Sequence, residues 1–267
     1  MSNNSPEKTH LPEGVFAAFK KDGTPYFRAS LTHRTKHISL GSFADPEQAH
    51  LAYLEGRKLL ENPSLTLTLY NENRELSFEK WVVLLNFRDN GLYFSTPIYI
   101  GQKVIFYYLS PTEVLKFDPD DLFYYSSHKI SRRGGHLFVA DYGSQLSLPA
   151  RYGIKAYAVE GRDFRFLNRD PFDYRRENLE ILNIYHGVIR TGKGFIARIH
   201  LRSYYRIGIY EDAITAAIAY NKAVDILRAA GFEKNFPVND IDEVSPRVYA
   251  EIYSAIRTAP AISRLRP

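Results

Sequence analysis

The 267-residue sequence contains no cysteine. Disulfides, zinc fingers, Fe–S clusters and a cysteine nucleophile are thereby excluded, and a reducing compartment is the expected home. Long apolar runs are missing too. None approaches the roughly 18 residues that a membrane helix needs, so no membrane partner is expected. Met1–His10 is polar and lacks a signal-peptide core. There is no GxxxxGK(S/T), no GxGxxG after a strand and no GxSxG. Gly192-Lys193-Gly194 is too short for a phosphate loop and reads as a turn between strands. Excess charge is small: 35 Lys+Arg against 30 Asp+Glu give +5, a mild lean toward nucleic acid. Apolar residues at 45% and charged residues at 24% describe a globular chain rather than a disordered one. Its length suits one or two domains, or three small ones.

What the sequence does contain is an internal repeat. Gly14–Gly56 resembles Gly187–Leu227. Gly41, Phe43, Asp45, Ala49, Ala52 and Tyr53 align with Gly208, Tyr210, Asp212, Ala216, Ala219 and Tyr220 at one constant offset. Each copy reads as three short strands followed by a helix. In the second copy Arg198, His200 and Arg202 alternate with Ala197, Ile199 and Leu201, so period two predicts a polar and an apolar face. Arg28, Ser30 and Thr32 against Phe27, Ala29 and Leu31 repeat the pattern in the first copy. Asp45 and Asp212 are expected N-caps, Pro46 fits the first helical turn, and the second helix is expected to stop at Gly231.

Charge divides within each copy. Gly14–Phe43 carries +4 and 44–62 carries −2, while 184–210 carries +5 and 211–240 carries −2. A cationic sheet with outward Arg, His and Tyr suits a nucleic-acid groove, where arginine bridges phosphates or forks onto guanine.

Each copy resembles the Apetala-two/ethylene-response-factor DNA-binding domain. The matching pieces are Gly14-Val15, Leu40-Gly41-Ser42-Phe43 and Ala49 to Tyr53, then Gly187-Val188, Ile207-Gly208-Ile209-Tyr210 and Ala216 to Tyr220. The resemblance implies that each sheet enters the major groove of double-stranded DNA. The implied contacts are Tyr26, Arg28, Ser30 and His37 in the first copy. In the second they are Arg190, Phe195, Arg198, His200, Arg202 and Arg206.

Between the copies, Ser77–Asn90 reads as a capped helix with Phe78, Trp81, Val82 and Leu85 on its apolar stripe, ended by Gly91. Strands are expected over Leu92–Ile98, Lys103–Leu109 and His136–Ala140, with loops or turns at Asp118–Asp121 and Ser131–Gly135. His128 and His136 read as structural histidines. The segment Phe164–Asn183 resembles the end of an HNH endonuclease ββα-metal motif of the mobile-intron type. Asn168, Asp170, Asp173, Arg175, Arg176, Asn178 and Leu179 match it, and the resemblance implies a short helix around Arg-x-Asn-Leu. The motif's general-base histidine and metal-holding acid fall at Phe166 and Arg165. Phenylalanine cannot accept a proton, and arginine would repel a divalent metal. The expectation is therefore a retained scaffold with no catalytic residues, no metal and no cofactor. Asn168 and Asp170 would then build a turn, and Asp173 would cap a helix. Pro246–Thr258 reads as a tail helix with Val248, Tyr249, Ile252, Tyr253 and Ile256 on one stripe, for packing on the body or for a homodimer.

The expected fold is α+β: two three-stranded antiparallel sheet-plus-helix modules (11–62 and 184–240) flanking a degenerate ββα unit (66–183), then a tail (241–267). The expected function is sequence-specific DNA binding without cleavage, with a role in transcription regulation, in a protein descended from an HNH homing-type nuclease. Its expected location is the cytoplasm, at the nucleoid of a prokaryotic or mobile-element host. The alternatives are a metal-dependent nuclease with a shifted site and a protein-interaction module.

Overall fold

A computed structural model describes residues 11–141 and 143–267. The reading of Met1–His10 lies outside them. The chain is α+β, with small three-stranded antiparallel sheets and helices. It divides into two compact units. One holds the residues up to Gln145 with Phe172–Arg175, and the other holds Leu146–Pro171 with Arg176–Pro267.

The first unit opens with β1 (Val15–Phe19), β2 (Pro25–His33) and β3 (Lys36–Phe43), followed by α1 (Pro46–Glu61). Asp45 caps α1 by accepting the Gln48 N–H at 3.1 Å. Ala29, Leu31, Ile38 and Leu40 of the sheet meet Ala49, Ala52 and Leu59 of α1, and the same core takes in Trp81, Leu84 and Leu85. Those three belong to α2 (Phe78–Asn90), capped by Ser77 and ended by Gly91 at φ +73°. Packing thus runs across the expected boundary between 62 and 66. Arg88 reinforces the join: its guanidinium donates to the Leu59 carbonyl in the last turn of α1, the Asn62 carbonyl at its C-cap and the Leu65 carbonyl beyond.

The strand expected over Leu92–Ile98 is not there. Instead β4 (Ile98–Ile100) begins where that stretch ends. The buried Asn86 accounts for this. Its amide donates to the Leu92 carbonyl and accepts the Ile100 N–H, which holds the intervening chain as a loop. β4 pairs with β5 (Ile105–Tyr108), and β5 with β6 (Val114–Phe117). Asp118–Asp121 is a helical turn leading into α3 (Leu122–Ser127) rather than a plain loop. The buried Tyr125 of α3 stacks on Phe117 at 4.1 Å, and this packing stabilises a helix too short to form alone. Ser131–Arg133 belongs to β7 (Ile130–Arg133), so the turn before β8 (His136–Asp141) is confined to Gly134 and Gly135, both at positive φ. β9 (Ser144–Ser147) completes that sheet. His128 is structural: its ring stacks on Tyr124 at 4.2 Å, with Nδ1 2.7 Å from the Tyr124 carbonyl.

The second unit contains α4 (Leu148–Arg151), the hairpin of β10 (Phe164–Phe166) and β11 (Leu179–Ile181), then β12 (Val188–Thr191), β13 (Gly194–His200), β14 (Tyr204–Tyr210) and α5 (Ala213–Ala229). Asp212 caps α5 through the Thr215 N–H at 2.7 Å, and Gly231 lies just past the helix end at φ +94°. The tail helix is shorter than expected. α6 (Pro246–Ala255) stops before a second short helix, α7 (Pro260–Arg264). Tyr249, Ile252, Tyr253 and Ile256 pack against the core built on α5, while Val248 of the same stripe is exposed.

The two repeat copies share one construction. Gly14 and Gly187 sit at φ +78° and +74° beneath the rings of Tyr53 and Tyr220. A Cβ there would lie 2.1 Å and 2.2 Å from those rings, so only glycine fits. In both copies the third strand is bulged, with Leu40 or Ile207 as the extra residue opposite the step from Ala29 to Ser30 or from Ala197 to Arg198. The glycine carbonyl then accepts the next N–H, from Ser30 or Arg198.

Candidate functional site

Pairing register decides which side chains leave the outward sheet faces. In the second copy Ala197, Ile199 and Ile207 are buried against α5, while Ile196, Arg198 and His200 alternate away from it. On β14 their partners are Ile209, Arg206 and Tyr204. Arg198 and Arg206 therefore stand directly opposite each other on one face. Like charges so opposed destabilise a sheet pair. Neither has an ion-pair partner among the described residues. The Arg198 guanidinium instead lies 3.9 Å from the Tyr204 ring centroid, and His200 packs on the same ring at 4.7 Å. Tyr204 is 61% exposed, so its ring holds the Arg198 guanidinium and the His200 imidazole at the surface.

The bulge also changes which residues correspond. Ser30, which follows the first copy's bulge, is the equivalent of Arg198, and its partner Ser39 is the equivalent of Arg206. Arg28 corresponds to Ile196 and pairs with Phe16 on one side and Ser42 on the other. It is fixed on its own strand: Nη2 donates to Tyr26 Oη at 2.6 Å, and the guanidinium lies 5.4 Å from that ring centroid. The first sheet thus presents Tyr26 and Arg28, with exposed Phe16 at 56% beside them, and His37 at its far end opposite Thr32. Nearby Arg34 and Lys36 lie over Phe87 and Tyr93.

Three of the ten expected contact residues depart from the outward strand face, and a fourth lies on its row but is covered. Ser30 is 8% exposed and offers no free surface. Arg202 lies in the turn between β13 and β14 rather than on the strand, because β13 ends at His200. Phe195 faces the helix side, pairing with Tyr210 and packing against the second unit's core. Arg190 pairs with Phe195 and shares Val188's row, although its side chain is exposed at the sheet end. Phe16, Tyr204 and Ile209 join the outward faces without having been expected there. The signal in the sequence was present for Tyr204, two residues from Arg206, but the bulge that sets its partner was not visible.

The Phe164–Asn183 segment is a hairpin with a long turn. The implied short helix at Arg175–Asn178 is absent: turns run to Asn178 and Leu179 opens β11. Asp173 therefore caps no helix. It is fully buried and paired with Arg175 at 2.6 Å. Asn168 does build the turn, accepting the Asp170 N–H at 2.8 Å, with Arg169 in the left-handed region at φ +64°. Asn178 Oδ1 accepts the Asn168 N–H at 2.7 Å. Arg165 pairs across the hairpin with Glu180 at 2.6 Å, and Phe166 is buried. Buried Asp163 accepts hydrogen bonds from Arg162, Asn183 and the Val159 N–H. Burial alone would raise its pKa, but these donors outweigh it and hold the carboxyl below its ordinary value. Among the described residues no three His, Asp or Glu side chains converge to hold a metal ion, and no helix is long and apolar enough to cross a membrane.

No protein-family model, no curated protein and no solved structure matches this chain.

Proposed function

We propose that the protein binds double-stranded DNA through the outward faces of its two repeat sheets and does not cleave it. The observation that carries this reading is the Arg198–Arg206 cross-strand pair. An unbridged pair of cations on an open sheet face costs stability, and a phosphate or a guanine edge relieves it. Arg28 on Tyr26 gives the first sheet one cation of the same kind. We further propose descent from an HNH homing-type nuclease and a regulatory role. The hairpin at Phe164–Ile181 supports that descent, with Phe166 and Arg165 where a base and a metal-holding acid are needed.

The test is retention of a randomised duplex library by the full chain at about 150 mM salt, then sequencing and a salt titration of the best duplex. An enriched motif, affinity that falls steeply with salt and intact duplex in Mg²⁺ is the expected result. Retention without a motif would reduce the protein to a non-specific binder. No retention would sink the reading. Exposed Phe16 and Phe19 favour protein interaction as the second reading, in which R198A and R206A leave all binding unchanged.

A further inference from the structure

In the second unit a cavity of about 390 Å³ lies beside the start of β12. This is within the roughly 300–1,000 Å³ of small-molecule sites. Three cations line it, Arg162, Arg198 and Lys234, and no Asp or Glu does. Arg162 is neutralised by Asp163. Arg198 and Lys234 are not, so the cavity is electropositive. Lys234 donates to the His200 carbonyl at 2.9 Å and keeps two further N–H donors.

The remaining wall mixes aromatic rings with aliphatic residues, Gly187, Asn235 and Pro237. His186 meets Tyr157 edge to face at 4.4 Å and Tyr220 at 5.2 Å. His186 Nδ1 is buried with no hydrogen-bond partner. Burial, then the nearby Arg162 charge, lowers the His186 pKa and favours the neutral ring, which can donate or accept at Nδ1 according to its tautomer. The backbone around the ring is fixed. Asn239 accepts the His186 N–H at 2.7 Å and donates to its carbonyl at 3.0 Å, and is itself bonded to Asn221 of α5.

An inorganic anion would use the cations and leave the rings idle. A neutral apolar ligand would use the rings and leave two cations unpaired. We infer that the cavity binds a single nucleotide, its base among Tyr157, His186 and Tyr204 and its phosphate on Arg198 and Lys234. Base–aromatic stacking and charge-assisted phosphate bonds are the two interactions such a lining provides. The nucleotide comes either from solution or from a strand of bound duplex. The inference goes beyond DNA binding by the sheet faces. It shares Arg198 with that reading, so the test varies residues outside the sheet contacts.

The full chain is titrated calorimetrically with dAMP, deoxyadenosine and inorganic phosphate. The expected result is dAMP bound at least about tenfold tighter than either fragment. Lys234→Met, at an exposed position, should weaken dAMP at least fivefold and leave deoxyadenosine unchanged. His186→Leu should weaken both. The two variants are read together, so a folding failure of the half-buried His186 variant leaves the other decisive. Binding of dAMP no tighter than phosphate or deoxyadenosine would overturn the inference, as would dAMP binding unchanged in Lys234→Met. A duplex carrying 2-aminopurine separates the sources. A fluorescence rise on binding that is lost in Tyr157→Leu assigns the nucleotide to the duplex. A flat signal beside tight dAMP binding assigns it to solution. Retention of duplex with neither signal nor dAMP binding overturns the cavity alone. Tight dAMP binding without duplex retention overturns the sheet reading alone.

Discussion

Arg198 and Arg206 make opposite demands on stability and on binding, and this gives a residue-scale test. Arg206→Ala removes one of two opposed cations, so the free protein should be unchanged or stabilised by up to about 0.5 kcal/mol in chemical denaturation. The same variant should lose about 1–3 kcal/mol of affinity for the selected duplex, read by titration. A structural arginine would lose stability instead. Gly187 makes a simpler demand. Gly187→Ala puts a methyl group into the Tyr220 ring at a φ that an L-residue resists. It should destabilise the second unit by about 3 kcal/mol, measured by thermal or urea unfolding.

At the scale of elements, the chain was legible where local chemistry decides. Asp45, Ser77 and Asp212 announce helix starts and are found capping them. Gly91 and Gly231 mark ends. Alternation along β13 correctly gave Ala197 and Ile199 as the inner face. What failed depended on distant partners. Asn86 turns an apparent strand into a loop, Tyr125 on Phe117 supports a helix at Leu122–Ser127 for which no expectation was made, and the bulges at Leu40 and Ile207 shift the partners across each sheet. None of these leaves a mark in a window of neighbouring residues. The candidate site was misread at Ser30, which keeps its outward row but is covered, and at Arg202, where the chain turns after β13 ends at His200.

Elements of the second unit also set a pH response. Asp163 has a lowered pKa, so its contribution is present above its ordinary value and is lost as pH falls through the lower, folded value. His186 is likewise lowered. Its unprotonated ring is favoured in the fold, so stability is full above about 6.5 and declines as the pH falls toward the folded value. The thermal midpoint should be flat from pH 8 to about 7 and drop below about 6. His186→Gln should reduce the upper part of that drop, leaving the parts due to His33, whose pKa burial also lowers, and to Asp163.

At the scale of the whole molecule the question is whether one duplex meets both sheets. Arg28→Ala and Arg206→Ala lie in different units. If both sheets dock on one DNA, each should lower the salt slope by about 1 where its contact is a phosphate, and the double variant should lose the sum. If one sheet alone docks, Arg28→Ala will leave both affinity and slope at their starting values. A chain with two docked sheets gains affinity through effective concentration, so a duplex cut to one half-site should bind far more weakly than half the site's length suggests.

The glycine beneath a tyrosine ring, present twice, has a consequence for descent. Gly14 with Tyr53 and Gly187 with Tyr220 constrain their columns from inside the fold, where no substitution is tolerated without moving backbone. The outward rows carry no such constraint, and the two copies already differ there: Ser30 and Ser39 in one, Arg198 and Arg206 in the other. Difference between the copies is therefore channelled to the outward faces. A distant relative should keep the paired glycine and tyrosine and vary at the outward rows.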